Sequence, residues 1–273
     1  MNLPIGVIDS GVGGLTVAKE VARQLPKETM IYIGDTARCP YGPRTVEEVR
    51  RFTWQMVEQL LQWDIKMLVI ACNTATAVTL AELQEQLDIP VVGVIRPGAI
   101  AALNETSSGE IAVIGTEGTI LSGAYPETIR AIQGEQVTVH NLACPPFVPL
   151  VEQNRTSKQD AYKIVEETLR PLQQYRYDTL ILGCTHYPIL KAVIQEVVGG
   201  GVSVISSGQE TAREMSTILQ HNGIHNRSDE SPAHIFYTSG DVLPFVEKVE
   251  RWMTITNPDV RQISFLSSTM NHD

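Results

Sequence analysis

Two features that often identify a protein are scarce in this sequence: paired cysteines and positive charge. Cysteine occurs only four times in 273 residues, and no two cysteines form a Cys-x-x-Cys pair. We therefore expect neither a structural zinc site nor any other bound metal. Lysine and arginine total 21 against 31 acidic residues, which gives a net charge of −10. This balance argues against nucleic acid or an anionic membrane as a main partner.

Long hydrophobic runs are also missing from the sequence. No stretch approaches the roughly 20 apolar residues of a membrane span, and the N-terminus lacks the basic and apolar regions of a signal peptide. We therefore expect a cytoplasmic protein whose thiols are reduced. A hydrophobic content of 43% is ordinary for a globular chain that buries a core.

Short apolar runs alternate with amphipathic segments through the first half of the chain. The runs predict strands at residues 4–8, 29–33, 67–70 and 91–95. Helices are predicted at residues 15–25, 45–62 and 74–87. Strands and helices that alternate with short connections are typical of βαβ units and a parallel sheet.

The second half of the chain repeats the pattern of the first half. Residues 111–116 echo residues 5–10, Cys184 matches Cys72, and residues 202–205 echo residues 92–95, in the same order and with nearly constant spacing. The repeat predicts two pseudo-symmetric α/β domains with mainly parallel sheets. In such a protein the active site lies in the interdomain cleft, where each half presents the ends of its strands.

The remaining segments predict further elements of the same kind. A polar turn at residues 115–119 is suited to holding a carboxylate, and Pro188 fits the first turn of a helix. An exposed helix is predicted at residues 157–174, further helices at residues 208–220 and 242–252, and a last strand at residues 235–238.

A glycine-rich turn follows the first predicted strand. Residues 9–14 read Asp-Ser-Gly-Val-Gly-Gly, and their glycines do not satisfy the Gly-x-Gly-x-x-Gly dinucleotide pattern. The turn either joins strand and helix or contributes to a site, because Asp9 and Ser10 occupy the carboxyl end of the strand.

Cys72 and Cys184 each follow a buried strand and a small residue. Hydroxyl or amide residues come next and are expected to cap a following helix. A thiol beside a helix N-terminus is expected to have a pKa below the usual value of about 8.5. A lone cysteine after a strand is more often a core residue, but two in equivalent settings favour function. Cys39 and Cys144 lack such partners and are interpreted as structural or incidental.

Two opposed thiols suit the inversion of a carbon centre. One thiolate removes a proton from one face, and the other thiol delivers a proton to the opposite face. Asp9 and His186 are natural assistants, because they can position the thiols and tune their protonation.

Four segments closely resemble the bacterial glutamate racemases. They are Ile-Gly-Val-Ile-Asp-Ser-Gly-Val-Gly-Gly at 5–14, Cys-Pro-Tyr-Gly-Pro at 39–43, Ala-Cys-Asn-Thr-Ala at 71–75 and Gly-Cys-Thr-His-Tyr-Pro at 183–188. The resemblance spans nearly the whole chain. It implies a cofactor-independent interconversion of L- and D-glutamate that supplies D-glutamate for peptidoglycan. It also implies a homodimer, and two domains comprising residues 1–95 plus 208–273 and residues 96–207.

The resemblance also assigns roles to individual residues. Cys72 and Cys184 correspond to the two acid/base thiols, with Cys72 acting on the D-enantiomer and Cys184 on the L-enantiomer. Asp9, Glu152 and His186 resemble the assisting groups. The substrate contacts implied are Asp9, Ser10, Tyr41, Gly42, Asn73, Thr74, Thr116, Thr119, Thr185 and His186.

Three alternatives remain open from the sequence. An aspartate racemase or another superfamily member would share the two-thiol logic and differ in substrate. A hydrolase or decarboxylase would need only one of the two thiols. Some members of the resembled family bind DNA gyrase and inhibit it, so a role as a binding protein is the third alternative, which the acidic composition permits without indicating it.

Overall fold

The computed structural model describes residues 2–153, 157–228 and 230–265. Within these residues, strands and helices alternate along nearly the whole chain. The strands are β1 (Ile5–Asp9), β2 (Met30–Gly34), β3 (Met67–Ile70), β4 (Val91–Gly93), β5 (Glu110–Gly115), β6 (Thr138–Ala143), β7 (Thr179–Gly183), β8 (Ser203–Ser206), β9 (Ile235–Thr238) and β10 (Asp259–Gln262). The helices are α1 (Leu15–Gln24), α2 (Val46–Leu61), α3 (Asn73–Gln86), α4 (Ile95–Glu105), α5 (Glu117–Leu121), α6 (Ala124–Gln133), α7 (Phe147–Glu152), α8 (Lys158–Leu169), α9 (Lys191–Val198), α10 (Gly208–His221) and α11 (Val242–Met253). Short 3-10 helices lie at Gly134–Gln136, Arg170–Gln174 and Tyr187–Leu190.

The strands form two parallel sheets that share one internal order. The first sheet runs β10-β9-β2-β1-β3-β4, and the second runs β6-β5-β7-β8. The second sheet therefore repeats the order β2-β1-β3-β4, with β5 corresponding to β1 and β7 to β3. All neighbouring strands in these sheets pair in parallel. The predicted fold of two related α/β halves is confirmed.

The central strands are apolar because helices cover both faces of each sheet. Every residue of β1, β2, β3 and β7 is buried. Such strands read as continuous apolar runs rather than as alternating patterns, which is why the sequence reveals them. The predicted start of α2 is also confirmed, since Thr45 caps the helix and forms a capping box with Glu48.

The helices show where the chain leaves and rejoins the first sheet. α4 packs against β5 and β7 of the second sheet. α10 packs in the same core as α1 and β1, although it follows the second sheet in sequence. This packing supports the division into residues 1–95 plus 208–273 and residues 96–207, which stays a prediction. Residues 1, 154–156, 229 and 266–273 of that division lie outside the described residues. None of the helices in the described part of the chain has the length and apolarity needed to cross a membrane.

Three predicted elements have different bounds from those expected. The strand predicted at residues 91–95 ends at Gly93, and α4 begins at Ile95, with Pro97 in its first turn, where a missing N–H costs nothing. The helix predicted at residues 157–174 becomes 3-10 from Arg170, because Pro171 removes a donor. Its interpretation as an exposed helix is wrong for one face, which buries Ala161, Val165 and Leu169. The turn predicted at residues 115–119 contains the start of α5.

The strands that sequence reasoning missed lie at sheet edges. β6 has only exposed and half-buried residues, and three of the four residues of β10 are polar. An edge strand faces solvent, so it carries no apolar run that would distinguish it from a loop.

A buried ion pair lies at the amino ends of β2 and β3, away from the strand ends that carry the cysteines. Lys66 Nζ lies 2.5 Å from Glu28 Oε2, and both side chains are buried. Lys66 also donates to the carbonyl oxygen of Ile224 at 2.8 Å, and Glu28 Oε1 accepts from the Asn226 N–H at 2.7 Å. The pair therefore fastens the segment after α10 to the first sheet.

We expect Lys66→Met to lower the free energy of unfolding by about 3–5 kcal/mol, because it leaves the Glu28 carboxylate buried without its cation. Urea unfolding followed by circular dichroism measures the loss. The double variant Lys66→Met with Glu28→Gln is the control, since it removes both charges and is expected to be less destabilised than the single variant. A double variant at least as unstable as the single one would contradict the prediction.

Candidate active site

Cys72 lies just past the end of β3, where it caps α3. Its backbone is extended, and its sulfur accepts a hydrogen bond from the Ala75 N–H at 3.5 Å. The cap is therefore the cysteine itself, whereas the sequence predicted that the polar residues after it would cap the helix. The Ser10 hydroxyl and the Thr74 N–H also donate to this sulfur. The thiol is buried and held by three donors.

Cys184 occupies the corresponding place after β7. Its sulfur lies 3.9 Å from His186 Nδ1, and the backbone N–H groups of His186 and Tyr187 donate to it. The next helix is a 3-10 turn starting at Tyr187, with Pro188 in its first turn as predicted. The Tyr187 hydroxyl donates to the Cys144 carbonyl oxygen at 2.9 Å, and this bond anchors the segment to the core of the second sheet.

Both thiols line the same cavity between the two sheets. Its volume is about 10 Å³, which is room for about one water molecule. The residues that line it are Ser10, Pro40, Tyr41, Gly42, Cys72, Asn73, Thr74, Thr116, Val148, Cys184, Thr185 and His186. A larger cavity of about 790 Å³ lies elsewhere, beside α1, α4 and α10, and neither cysteine lines it.

Asp9 joins the two halves beneath this cavity. The side chain is fully buried, its Oδ2 accepts from the Gly11 N–H at 3.0 Å, and its Oδ1 accepts from the Thr185 hydroxyl at 3.3 Å. Burial raises the pKa of Asp9, although the nearby His186 opposes the shift. Asp9, which is next to Ser10 in the sequence, thus bonds to the segment that carries Cys184.

Three hydroxyls from two halves of the molecule meet at one side of the cavity. Thr74 Oγ1 lies 2.8 Å from Thr116 Oγ1 and 3.1 Å from Thr119 Oγ1. The Gly118 N–H donates to the Gly42 carbonyl oxygen at 2.9 Å, a second bond between the halves. Each hydroxyl can donate a hydrogen bond, so the three together are suited to binding a carboxylate.

Asn73 presents an unused donor beside the same hydroxyls. Its Oδ1 accepts from the Tyr125 hydroxyl at 2.8 Å, which fixes the amide orientation. Its Nδ2 is buried and has no hydrogen-bond partner within the described residues. A buried donor without a partner costs stability, so its retention favours a role in binding an anion.

Tyr41 is placed by a network that starts at Asp35. The Tyr41 hydroxyl donates to Asp35 Oδ2 at 2.5 Å, and Arg38 Nε donates to the same oxygen at 2.6 Å. Ser239 donates to the other carboxylate oxygen at 2.7 Å. The phenol is therefore committed to Asp35, and Tyr41 offers its ring and backbone to the cavity.

Glu152 is the last residue of α7, and its carboxylate contacts the side chains of His186 and Lys248. Its Oε1 lies 2.8 Å from His186 Nε2, and its Oε2 pairs with Lys248 Nζ. Burial alone would raise the pKa of Glu152, but His186 and Lys248 together lower it to about 2. Cys39 lies close to this pair: atoms of Cys39, Glu152 and His186 fall within 4.8 Å of one another. Both carboxylate oxygens already have partners, so we assign no metal to this group.

The expected thiol pKa values are wrong. Burial raises the pKa of Cys72 to about 11, with Asp9 adding to the shift, and burial raises that of Cys184 as well. The N–H groups at the start of α3 and the Ser10 hydroxyl lower the pKa of Cys72, as expected. Their effect is smaller than the rise that comes from removing the thiol from water. Both sulfurs therefore favour the protonated form at neutral pH when nothing is bound.

We expect the alkylation of Cys72 by iodoacetamide to accelerate with pH up to about 11, because only the thiolate reacts and its population follows the pKa. Peptide mass spectrometry after timed labelling measures the rate for this cysteine. The urea-unfolded protein is the control and should level off near about pH 8.5, the value of a free thiol. If the alkylation rate of Cys72 in the folded protein levelled off at that same pH, the raised pKa of Cys72 would be contradicted.

Several residues that support this site were not predicted as part of it. Asp35 directly follows β2, and Asp9 is the last residue of β1, so the position of Asp35 at a strand end was a usable signal. Val148, Tyr125 and Lys248 offered none, because they reach the site through packing between distant segments.

Two thiols from corresponding strand ends line one cavity, with Asp9 and His186 close by, and this arrangement suits an isomerase that moves a proton at a carbon centre. A family model described as Asp/Glu/Hydantoin racemase matches residues 5–215. The chain belongs to this racemase family.

Relatives within the family agree with this assignment in sequence and in structure. A glutamate racemase of Oceanobacillus iheyensis is 61% identical over 248 residues, which cover 90% of each chain. The crystal structure of a glutamate racemase isoform from Bacillus anthracis matches with a TM-score of 0.93 at 50% identity, covering 96% of this chain and 97% of that chain. That of glutamate racemase from Francisella tularensis, in complex with D-glutamate, matches with a TM-score of 0.89 at 32% identity, covering 97% and 98%.

Proposed function

We propose that this chain is a glutamate racemase, which interconverts L- and D-glutamate through Cys72 and Cys184. The observation that carries the proposal is the placement of these two thiols at equivalent strand ends around one cavity. The identity to glutamate racemases over nearly the whole chain supports glutamate as the substrate. Cytoplasmic D-glutamate would then supply peptidoglycan synthesis.

In the proposed reaction a proton moves across the α-carbon. For L-glutamate the Cys184 thiolate takes the α-proton, the C–H bond breaks, and its electron pair delocalises into the α-carboxylate. The Cys72 thiol then gives its proton to the opposite face and becomes the thiolate. For D-glutamate the same two steps run in reverse, with Cys72 as the base, so atoms and charge balance in both directions.

The raised thiol pKa values fit this chemistry once substrate is considered. The α-ammonium of glutamate brings a positive charge beside the sulfurs, and a nearby positive charge favours thiolate over thiol. Ser10, and the N–H groups of Thr74 and Ala75, remain available to stabilise the thiolate of Cys72. Substrate binding therefore supplies the activation that the helix terminus alone does not.

The substrate carboxylates find donors on both halves of the molecule. We assign one carboxylate to the Thr74, Thr116 and Thr119 hydroxyls and to the free Asn73 amide. Thr185, Tyr41 and the backbone of Gly42 also line the cavity. Asp9 and His186 position the thiols.

The cavity must open to admit this substrate, because about 10 Å³ does not hold an amino acid. Several contacts close it, among them the hydrogen bonds of Thr185 with Asp9, Thr74 with Thr116, and Gly118 with Gly42. All of these join the first sheet's segments to the second sheet's. We therefore assign opening to a separation of the two halves about these contacts.

The decisive experiment is circular dichroism of pure L-glutamate with purified protein and no added cofactor. A decay of optical activity to zero is expected, and the same assay with D-glutamate should decay to the same end point. L-aspartate in parallel tests the aspartate racemase alternative. A stable signal with glutamate would overturn the proposal.

Two further expectations follow from the family resemblance. We infer that the chain works as a homodimer and that it resides in the cytoplasm. Size-exclusion chromatography with light scattering tests the first, with a mass near twice 30.1 kDa expected.

A further inference from the structure

Lys248 lies on α11, outside the cavity that holds the thiols. Its side chain is 21% exposed and lines an adjoining cleft of about 550 Å³ together with Cys39 and Glu152. α11 packs in the core of the first sheet, whereas α7, which carries Glu152, packs in the core of the second. The ion pair between Lys248 and Glu152 therefore bridges the two halves.

Three successive contacts connect this lysine to one thiol. Lys248 Nζ pairs with Glu152 Oε2, the other oxygen of Glu152 lies 2.8 Å from His186 Nε2, and His186 Nδ1 lies 3.9 Å from Cys184 Sγ. A carboxylate that accepts from one imidazole nitrogen fixes the ring and its tautomer. Lys248 in turn occupies the second oxygen of that carboxylate, so the carboxylate cannot rotate freely away from His186.

The chain of contacts is one-sided. The donors to the Cys72 sulfur are Ala75, Ser10 and Thr74, and none of them is hydrogen-bonded to Lys248 or Glu152 in the described part of the molecule. The two thiols thus have different outer support, although they occupy equivalent strand ends.

We propose that Lys248 is a positioning residue that holds the Glu152 carboxylate against His186 and thereby supports proton transfer by Cys184 but not by Cys72. The proposal rests on the function proposed above. It assigns to the cleft beside α11 a part in turnover, although no residue of α11 touches the cavity of the thiols.

Overall rates cannot reveal which thiol is affected. Enantiomers have equal free energy, so kcat/KM must be equal in the two directions for every variant. Isotope effects on kcat/KM do separate the thiols. If transfer at Cys184 becomes slower, removal of the α-hydrogen limits the reaction of L-glutamate, and return of a proton from solvent limits that of D-glutamate.

The experiment compares Lys248→Met with the wild-type protein, using α-deuterated L- and D-glutamate. We expect kcat/KM to fall about 10-fold, the scale at which support for an acid–base group acts. The substrate isotope effect should rise for L-glutamate and fall towards one for D-glutamate. Lys248→Arg, which keeps the charge and the donors, should restore both the rate and the wild-type isotope effects.

A matched control is Lys158→Met, because Lys158 pairs with Glu196 on the surface at 3.5 Å, away from the site. This variant should behave as wild type. Thermal unfolding by circular dichroism shows that each variant is folded.

Each other outcome overturns the inference. Unchanged rate and isotope effects in Lys248→Met would show that the lysine has no part in turnover. A lower rate with unchanged isotope effects would indicate a structural role, and the opposite isotope shift would place the effect on Cys72. An arginine variant as slow as the methionine variant would exclude the charge as the cause. Failure of the wild-type protein to racemise glutamate would instead remove the proposed function.

Discussion

Replacing either Cys72 or Cys184 with alanine is expected to lower the rate of glutamate racemisation by about 10²–10⁴-fold, the range attributed to a single acid–base group. Each thiol performs one half of every turnover, as base in one direction and as acid in the other, so neither can be spared. The two losses should not add, because the thiols act as a unit. The double variant is expected to be about as slow as the slower single variant.

The measurement is the initial rate of loss of optical activity, made from each enantiomer in turn. Cys144→Ala is the matched control: Cys144 is buried like the other two, but it does not line the cavity. It should retain wild-type turnover. Full activity in either single variant at the site would refute the two-thiol mechanism and favour a chemistry that needs one cysteine.

Gly13→Ala is expected to reduce turnover by about 10²-fold, the scale on which a misplacement of about 1 Å acts. A Cβ atom at Gly13 would come closer to His186 Nδ1 and to Thr185 Oγ1 than real Cβ atoms approach other atoms. His186 would have to leave its place beside Cys184, or the turn after β1 would have to shift. Either movement disturbs the Thr185–Asp9 bond as well.

The loss at Gly13 is measured as kcat for both enantiomers, together with the melting temperature. Overpacking should cost about 1–3 kcal/mol of stability in addition to the loss of activity. Gly200→Ala serves as the control, because a Cβ there meets no atom within 4 Å. Wild-type turnover in Gly13→Ala would mean that this close approach does not position His186.

The close approach at Gly13 explains a feature that the sequence alone left ambiguous. The run at residues 9–14 does not match a dinucleotide fingerprint, and its glycines could have been a simple turn. In the structure Gly13 leaves room for the His186 side chain of the other half. The reason for that glycine is therefore a contact between segments more than 170 residues apart, which no local pattern contains.

The strands and the paired cysteines were predictable because the physics that creates them is local. A central parallel strand must be apolar throughout, and the residue after it must lie at the carboxyl end of the sheet. The edge strands β6 and β10 escaped prediction for the converse reason, since solvent on one side removes the requirement for apolar residues. Helix α4 was not predicted, because the expected strand ran into its first residue, Ile95, and proline is tolerated in a helix only in the first turn, where Pro97 lies.

By itself the sequence determined that two similar halves each place a thiol just past a buried strand, since apolar runs and their spacing are properties of neighbouring residues. Only the tertiary structure decided how acidic those thiols are, because the depth of burial depends on what packs above them, and here burial outweighs the helix terminus. It also decided that Lys248 reaches Glu152 across the two halves. An ion pair between remote segments depends on how the two sheets are placed relative to each other, and that placement is set by the whole core rather than by either segment.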